Sequence, residues 1–218
     1  MAVTRTPTTT AARTTATAAS EPMTTTAVKV SLVGGVAAVA ALLIVGVTSG
    51  GGHSGHRPAS APFAWLQPAA PPAAWKVARI PSGATLAYPP GWRPVKTDAG
   101  TASVALLGGG GRYDGFLNAT PKSGTETAAN WSHFRPDHNR GDGNRDVRLL
   151  ASAQNLTFRS GRGSCVIDIY TTSKATFREI ACLVSGPDST AVVVAAAPNA
   201  GWEHQAATLE RAVSSFVP

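Results

Sequence analysis

Charged side chains are scarce in this 218-residue chain, at 14% of its residues, and 19 basic residues outnumber 12 acidic ones. The basic residues are dispersed along the sequence and form no cluster with aromatic neighbours. Nucleic-acid-binding domains concentrate Lys and Arg on one face and interleave aromatic side chains that stack on bases. The formal net charge of +7 is therefore interpreted as a solvated basic surface, and no nucleic-acid partner is predicted.

Catalytic signatures are equally scarce. The sequence contains no G-x-S-x-G elbow, H-E-x-x-H pair, P-loop or G-x-G-x-x-G fingerprint. The polar segment DHNRGDGNRD, residues 137–146, does not fit a calcium loop, because Asp142 stands where the sixth position needs glycine. No motif therefore assigns a catalytic residue, a cofactor or a metal site to this chain.

The longest apolar run, VKVSLVGGVAAVAALLIVGV at residues 28–47, contains Lys29 as its single charge. About 20 apolar residues in a helix match the roughly 30 Å hydrocarbon layer of a bilayer, so residues 28–47 are predicted to form one transmembrane helix. Residues 1–27 are poor in large apolar side chains and are predicted to be a disordered tail, which its basic residues keep in the cytoplasm. The alternative is a cleaved signal peptide and a secreted product, especially if translation begins at Met23 rather than at Met1.

The rest of the chain changes character at Trp75. Residues 48–75 are rich in Gly, Ser, Pro and Ala and are predicted to be a linker. Residues 76–218 alternate apolar and polar residues between turn signals, which is typical of a half-buried sheet in one extracytoplasmic domain. Strands are predicted at residues 84–88, 102–107, 115–120, 147–158, 163–171, 175–185 and 191–197.

Two helices interrupt or close these strands. The segment SGTETAANWSHF, residues 123–134, carries Ser123 and Glu126 in the positions of a capping box. Residues 199–217 repeat apolar side chains at helical spacing and are predicted to lay one apolar stripe against the sheet. The stripe comprises Trp202, Ala206, Leu209, Val213 and Phe216. A sheet with amphipathic helices on it is an α+β fold.

The two cysteines, Cys165 and Cys182, lie in one short stretch, GSCVIDIYTTSKATFREIACLV. A hairpin with Ser173 and Lys174 in its turn places the cysteines directly opposite each other, where Cα atoms lie about 4.5 to 5.5 Å apart and a disulfide can form. A disulfide indicates an oxidising compartment outside the cytoplasm. The alternatives are two buried free thiols or a redox-active pair, although an active pair is normally a C-x-x-C motif at a helix start.

The same register places Asp168 opposite Glu179 on the other face of the hairpin. Two carboxylates that lie close together raise the pKa of one of them or recruit a cation. Asp168 and Glu179 are therefore a candidate acid pair or metal site. The alternative is a solvated strand face on which nearby arginines neutralise both carboxylates.

Three features carry a resemblance to a known family. The turn YPPGW at residues 88–92 follows the first strand, and the strand AVVVAAAP at residues 191–198 precedes the closing helix, which contains ATLERAVSSF at residues 207–216. Residues 76–218 thereby resemble the PsbP/Mog-like superfamily, which includes photosystem II extrinsic subunits, a Ran-binding protein and actinobacterial envelope proteins of the LpqN type. The resemblance implies an α/β/α sandwich around a mainly antiparallel sheet, and no common catalytic residues.

Together these patterns predict a membrane-anchored extracytoplasmic binding or scaffolding module of the bacterial envelope, non-enzymatic, with an unidentified envelope protein or ligand as its partner. Its site would be a groove or an exposed aromatic patch. The candidate aromatic residues are Trp92, Tyr113, Trp131 and Tyr170. The alternative function is a cation-dependent or acid-pair envelope enzyme that uses Asp168 and Glu179. Ala/Gly richness and a preference for Arg over Lys indicate a high-GC genome such as that of an actinobacterium.

Overall fold

The structure, a computed structural model, describes residues 61–218. The predicted tail at residues 1–27 and the predicted transmembrane helix at residues 28–47 lie outside the described residues. Within residues 61–218, no helix has the length and apolar character needed to cross a bilayer.

The described residues form nine β-strands and two α-helices. The strands are β1 (Lys76–Arg79), β2 (Thr85–Tyr88), β3 (Arg93–Pro94), β4 (Ala102–Leu107), β5 (Tyr113–Pro121), β6 (Arg145–Phe158), β7 (Gly161–Thr171), β8 (Thr176–Ser185) and β9 (Thr190–Pro198). The helices are α1 (Trp131–Gly141) and α2 (Trp202–Ser215). All seven predicted strands are present. The two additional strands, β1 and β3, are short and largely exposed, so they carry no alternation that a sequence pattern would reveal.

Seven strands form one sheet in the order β3-β4-β5-β9-β8-β7-β6, and β1 and β2 form a separate antiparallel pair. Every neighbouring pair in the seven-stranded sheet is antiparallel. β9 is the central strand of this sheet, because it pairs with β5 on one side and with β8 on the other. The prediction of a mainly antiparallel α+β fold is confirmed.

Each face of the sheet is covered by one helix. On one face, the helix α2 buries Leu209 and Val213 in the larger core, which also contains the sheet residues Ile180 and Val193. On the opposite face, Trp131 at the start of α1 packs in a smaller cluster with Val166, Ala181 and Val194. We call these the α2 face and the α1 face. Successive side chains of a strand point to opposite faces of the sheet, so the same strands contribute residues to both clusters.

Residues 61–75, which fall in the range predicted to be a linker, pack on this body. Phe63 and Leu66 are buried members of the larger core. The segment lies alongside the helix α2, since Ala69 N donates to Ser214 O and the Arg211 side chain donates to Ala70 O. Composition predicts extended structure for such Pro/Ala-rich sequence, but the apolar side chains within it fill space beside α2. The folded body therefore begins earlier than Lys76.

The helix α1 begins later and ends later than the segment 123–134 that the capping-box pattern indicates. Ser123 N does donate to Glu126 Oε1 at 2.9 Å, but the chain only bends there and forms no helical turn. A second reciprocal pair leads into the helix, because Thr127 N donates to Asn130 Oδ1 and Asn130 N donates to Thr127 Oγ1. The helix then continues through Pro136. Proline lacks an N–H and usually ends helices, which hides this continuation from the sequence pattern.

Candidate functional site

The β7–β8 hairpin has the register that the cysteine spacing predicts. Cys165 pairs with Cys182, their Cα atoms are 4.1 Å apart, and the two sulfurs form a disulfide. Thr172 N donates to Ala175 O across the turn at 2.9 Å. The prediction of a disulfide is confirmed. The bridge lies on the α2 face, within the larger core.

The acid pair lies on the α1 face of the same hairpin. Asp168 and Glu179 are directly opposed, as predicted, and both are 0% exposed. Arg135 of the helix α1 reaches down to Glu179: its Nε donates to Oε1 at 2.6 Å and its Nη2 donates to Oε2 at 2.9 Å. Tyr170 also donates its hydroxyl to Glu179 Oε2, at 3.3 Å. The two-pronged geometry of a guanidinium fits a carboxylate, so Glu179 is fully paired.

Asp168 is less well paired than Glu179. Asn139 Nδ2 donates to Asp168 Oδ2 at 3.1 Å, while Oδ1 is buried without a hydrogen-bond partner among the described residues. Burial, and then the neighbouring Glu179, raise the pKa of Asp168 to about 7, against the opposing effect of Arg135. Burial also raises the pKa of Tyr170. For Arg135, burial lowers the pKa but the attraction of Glu179 outweighs it, and the net shift is upward.

This buried polar cluster does not have the geometry of an open active site. The helix α1 covers both carboxylates, so a substrate in solvent has no path to them. Within residues 61–218, no set of three His, Cys, Asp or Glu side chains is arranged to hold a metal ion. Glu179 pairs with the Arg135 guanidinium, and Asp168 accepts a hydrogen bond from the Asn139 amide. Both partners belong to α1, so the cluster joins this helix to the sheet.

Two of the four candidate aromatic residues belong to the core. Trp92 is 3% exposed, and its ring lies against Gly115, where an added Cβ would come within 2.5 Å of it. Trp131 is 2% exposed and donates its Nε1 proton to Ala181 O at 2.9 Å. Neither indole is available to a partner in this conformation.

The other two candidates, Tyr113 and Tyr170, line one cavity on the α1 face. Tyr113 stacks on Phe116 of the same strand, with ring centroids 5.9 Å apart. Tyr170 stacks on Phe177, its cross-strand partner, with centroids 6.1 Å apart. These four rings border a cavity of about 380 Å³ that Ala196 of β9 also lines. We call it the aromatic trough.

The trough exists because β9 presents a small side chain between two strands that present rings. Ala196 pairs with Phe116 of β5 on one side and with Glu179 of β8 on the other. Phe177 lies two residues from Glu179 and therefore on the same face of the sheet. A larger residue at position 196 would fill the space between the rings.

A second cavity of about 630 Å³ adjoins the trough and shares Tyr113, Lys174 and Phe177 with it. It runs toward the start of the helix α2, where His204 lines it. Its charged side chains are Lys174, Arg112 and Asp114, and the Arg112 guanidinium lies 3.9 Å from the Asp114 carboxylate. We call this space the basic cleft.

Sequence reasoning missed Phe116, Phe177 and Lys174 as members of the site. The hairpin register that aligns Cys165 with Cys182 also aligns Phe177 with Tyr170, and this is the signal that the sequence holds for Phe177. The position of β9 between β5 and β8 brings Phe116 to them. That adjacency joins residues about 60 positions apart, and no local pattern contains it.

With the geometry in place, comparisons with solved structures identify the architecture. Cyanobacterial PsbP (CyanoP) from Synechocystis sp. PCC 6803 is similar at 14% sequence identity and a TM-score of 0.51, over 67% of this chain and 93% of that one. The described part of the chain has a PsbP-like fold. This agrees with the resemblance seen in the sequence.

Two other similar structures have lower scores. The protein PA94 of unknown function from Pseudomonas aeruginosa, described as a putative regulator, has 12% identity and a TM-score of 0.45, over 66% of this chain and 96% of that one. LpqN, involved in cell envelope biogenesis of Mycobacterium tuberculosis, has 12% identity and a TM-score of 0.36, over 66% of this chain and 91% of that one. No protein-family model and no curated protein matches the chain. The likeness therefore concerns the PsbP-like fold alone.

Proposed function

We propose that this protein is a membrane-anchored, extracytoplasmic binding module of the bacterial envelope, and that the aromatic trough is its ligand site. The observation that carries the proposal is the trough itself, in which four rings from three strands border one open cavity. Aromatic side chains contribute large contact area at low entropic cost and dominate binding energies. Binding sites are commonly apolar cavities with a few polar groups, and Lys174 supplies one at the trough.

Two features support the location outside the cytoplasm. Disulfides persist in oxidising compartments, and the Cys165–Cys182 bridge lies in the core of the sheet. The apolar segment 28–47 has the length of a membrane span and follows a basic tail. In this proposal the membrane is contacted through residues 28–47, and the partner of the trough is an envelope ligand. Secretion after signal cleavage is the alternative for the same folded body.

A binding role is favoured over catalysis by the burial of the acid pair. Asp168 and Glu179 are covered by the helix α1 and engaged by Asn139 and Arg135. In an acid-pair enzyme, both carboxylates would need to contact a substrate.

We also propose that the protein is an actinobacterial envelope protein of the LpqN type. This part of the proposal is supported by the sequence resemblance and by the Ala/Gly-rich, Arg-rich composition.

The test is a ligand screen on the full-length protein in lipid nanodiscs, with compounds drawn from bacterial envelopes, such as peptidoglycan fragments and glycolipid headgroups. Binding is measured as an increase in the Tm of the folded body. Tyr113→Leu removes a ring that is 39% exposed and so leaves the core intact. Val77→Ser is the matched control, because Val77 is an exposed apolar residue that does not line the trough.

We expect at least one compound to raise the Tm of the wild type and of Val77→Ser, with a smaller shift in Tyr113→Leu. The proposal is wrong if no compound binds. It is equally wrong if the compounds that bind stabilise Tyr113→Leu as much as they stabilise the wild type.

A further inference from the structure

We propose that the ligand of the aromatic trough is a small molecule that joins a flat ring to an acidic group. The ring lies between the two aromatic walls, and the Lys174 ammonium group pairs with the acid. This inference rests on the proposed binding function and specifies the chemistry of its ligand. It is carried by the spacing of the walls, by the charge at the rim and by the size of the cavity.

The spacing of the walls favours a flat ring. One wall, Tyr113 and Phe116, stands on β5, and the other, Tyr170 and Phe177, stands on β7 and β8. β9 lies between β5 and β8 and contributes Ala196. Two strand spacings separate β5 from β8, which carries Phe177, by roughly 10 Å, and Tyr170 on β7 lies one spacing farther away. A ring in van der Waals contact on both sides needs roughly 7 to 8 Å between the rings that enclose it, so the space accepts one planar group.

The charge at the rim favours an anion. Lys174 lines both the trough and the basic cleft, and within residues 61–218 it forms no ion pair. Its backbone N donates to Thr172 Oγ1, which fixes the turn that carries the side chain. Arg112 adds a second positive charge to the cleft, although Asp114 lies near it. Of these two cationic residues, Lys174 is the one that lines the trough, and no carboxylate pairs with it among the described residues.

The size of the space favours a small molecule over a protein. The trough holds about 380 Å³ and the basic cleft about 630 Å³. Small-molecule sites typically occupy about 300 to 1,000 Å³. The two cavities meet at Tyr113, Lys174 and Phe177, so a ring in the trough can place its acidic substituent at the entrance of the cleft.

The test compares three probes that separate ring from charge: 2-naphthoate, the neutral 2-naphthylmethanol and the ringless n-hexanoate. The full-length protein in nanodiscs is titrated by isothermal calorimetry, with empty nanodiscs as the background. Lys174→Gln removes the cation, and Lys76→Gln is its matched control, because Lys76 is exposed on β1 and lines neither cavity. Tyr113→Leu removes one wall ring.

We expect 2-naphthoate to bind more tightly than either other probe. Exposed ion pairs contribute up to about 1 kcal/mol, so Lys174→Gln should weaken 2-naphthoate roughly three- to fivefold and leave 2-naphthylmethanol unchanged. Tyr113→Leu should weaken both aromatic probes roughly threefold or more. Lys76→Gln should behave as the wild type.

If 2-naphthoate and 2-naphthylmethanol bind with equal affinity and Lys174→Gln changes neither affinity, the ligand does not need an acidic group and the inference is wrong. The trough would still be a ligand site. n-Hexanoate binding as tightly as 2-naphthoate would overturn the requirement for a ring. If neither aromatic probe binds at a site sensitive to Tyr113→Leu, the inference fails. A trough ligand found in the envelope screen would then show that the proposed function survives without it.

Discussion

Asp168 is a buried carboxylate with only one hydrogen-bond partner among the described residues. It faces Glu179 from β8, Arg135, Asn139 and Arg140 from the helix α1, and its strand neighbour Tyr170. Its cross-strand partner on β6 is Leu149, which offers no charge. Burial disfavours the charged form of Asp168 and the neighbouring Glu179 adds to the effect, so its pKa rises to about 7 although Arg135 opposes the shift.

The raised pKa gives a pH dependence of stability with a definite sign. In the unfolded chain Asp168 titrates near 3.8 and in the folded chain near 7, so the folded state binds more protons between these values. The contribution of Asp168 to stability is full below the unfolded pKa and is lost as the pH rises through about 7. We expect the wild type to lose on the order of 2 kcal/mol between pH 5 and pH 8 relative to Asp168→Asn.

Urea denaturation at pH 5, 6.5 and 8 measures this difference in the free energy of unfolding. Asp188→Asn, at an exposed position, is the control and should follow the wild type. A difference between wild type and Asp168→Asn that stays constant with pH would show that Asp168 is ionised throughout this range.

Arg135 provides a second prediction, because it is the partner that makes a buried Glu179 tolerable. Arg135→Met leaves an unpaired carboxylate under the helix α1 and should cost about 3 to 5 kcal/mol. The double variant Arg135→Met/Glu179→Leu removes both charges and should recover most of that loss. Equilibrium denaturation of the two single variants and the double variant gives the coupling energy. A double variant no more stable than Arg135→Met would contradict this reading of the pair.

At the scale of elements, the position of the helix α1 decides what the acid pair can do. The helix starts at Trp131, whose indole anchors it to Ala181 O on β8. One and two turns later, Arg135 and Asn139 project onto the same face and reach Glu179 and Asp168. A helix that ended at residue 134 would carry neither Arg135 nor Asn139, the two residues of α1 that pair with these carboxylates.

The turn before α1 can be tested directly. Thr127 and Asn130 exchange hydrogen bonds there, whereas the Ser123 hydroxyl has no hydrogen bond within the described part of the chain. Thr127→Ala should therefore cost about 1 kcal/mol of unfolding free energy, and Ser123→Ala should cost much less. Thermal unfolding of the two variants, side by side, distinguishes these positions. A larger loss in Ser123→Ala would place the cap where the sequence pattern indicates it.

Local patterns could be predicted from the sequence, and contacts between distant segments could not. The register of the β7–β8 hairpin follows from the spacing of Cys165 and Cys182, and it also places Asp168 opposite Glu179. The stripe from Trp202 to Phe216 follows from helical spacing, and its members Leu209 and Val213 are buried. In contrast, the contact of Arg135 with Glu179 joins residues 44 positions apart. It depends on how α1 docks, and α1 passes through a proline that usually ends a helix.

At the scale of the whole molecule, one face of the sheet carries most of the apolar core and the other carries the candidate site. The α2 face carries the larger core, the disulfide and the packed segment that includes Phe63 and Leu66. The α1 face carries the buried ion pair and, beyond the helix, the aromatic trough. The α1 face can leave a cavity open because the α2 face supplies most of the apolar burial.

We propose that this folded body lies outside the cytoplasmic membrane and is held there by its N-terminal segment, and this central proposal can be tested directly. The measurement is made on intact spheroplasts of a bacterial host that expresses the full-length chain with a C-terminal epitope. External protease is added to one sample, and thiols are alkylated before and after reduction in another. We predict that protease removes the cell-associated epitope and that Cys165 and Cys182 are alkylated only after reduction. An epitope protected from protease, with both cysteines alkylated without reduction, would contradict the account.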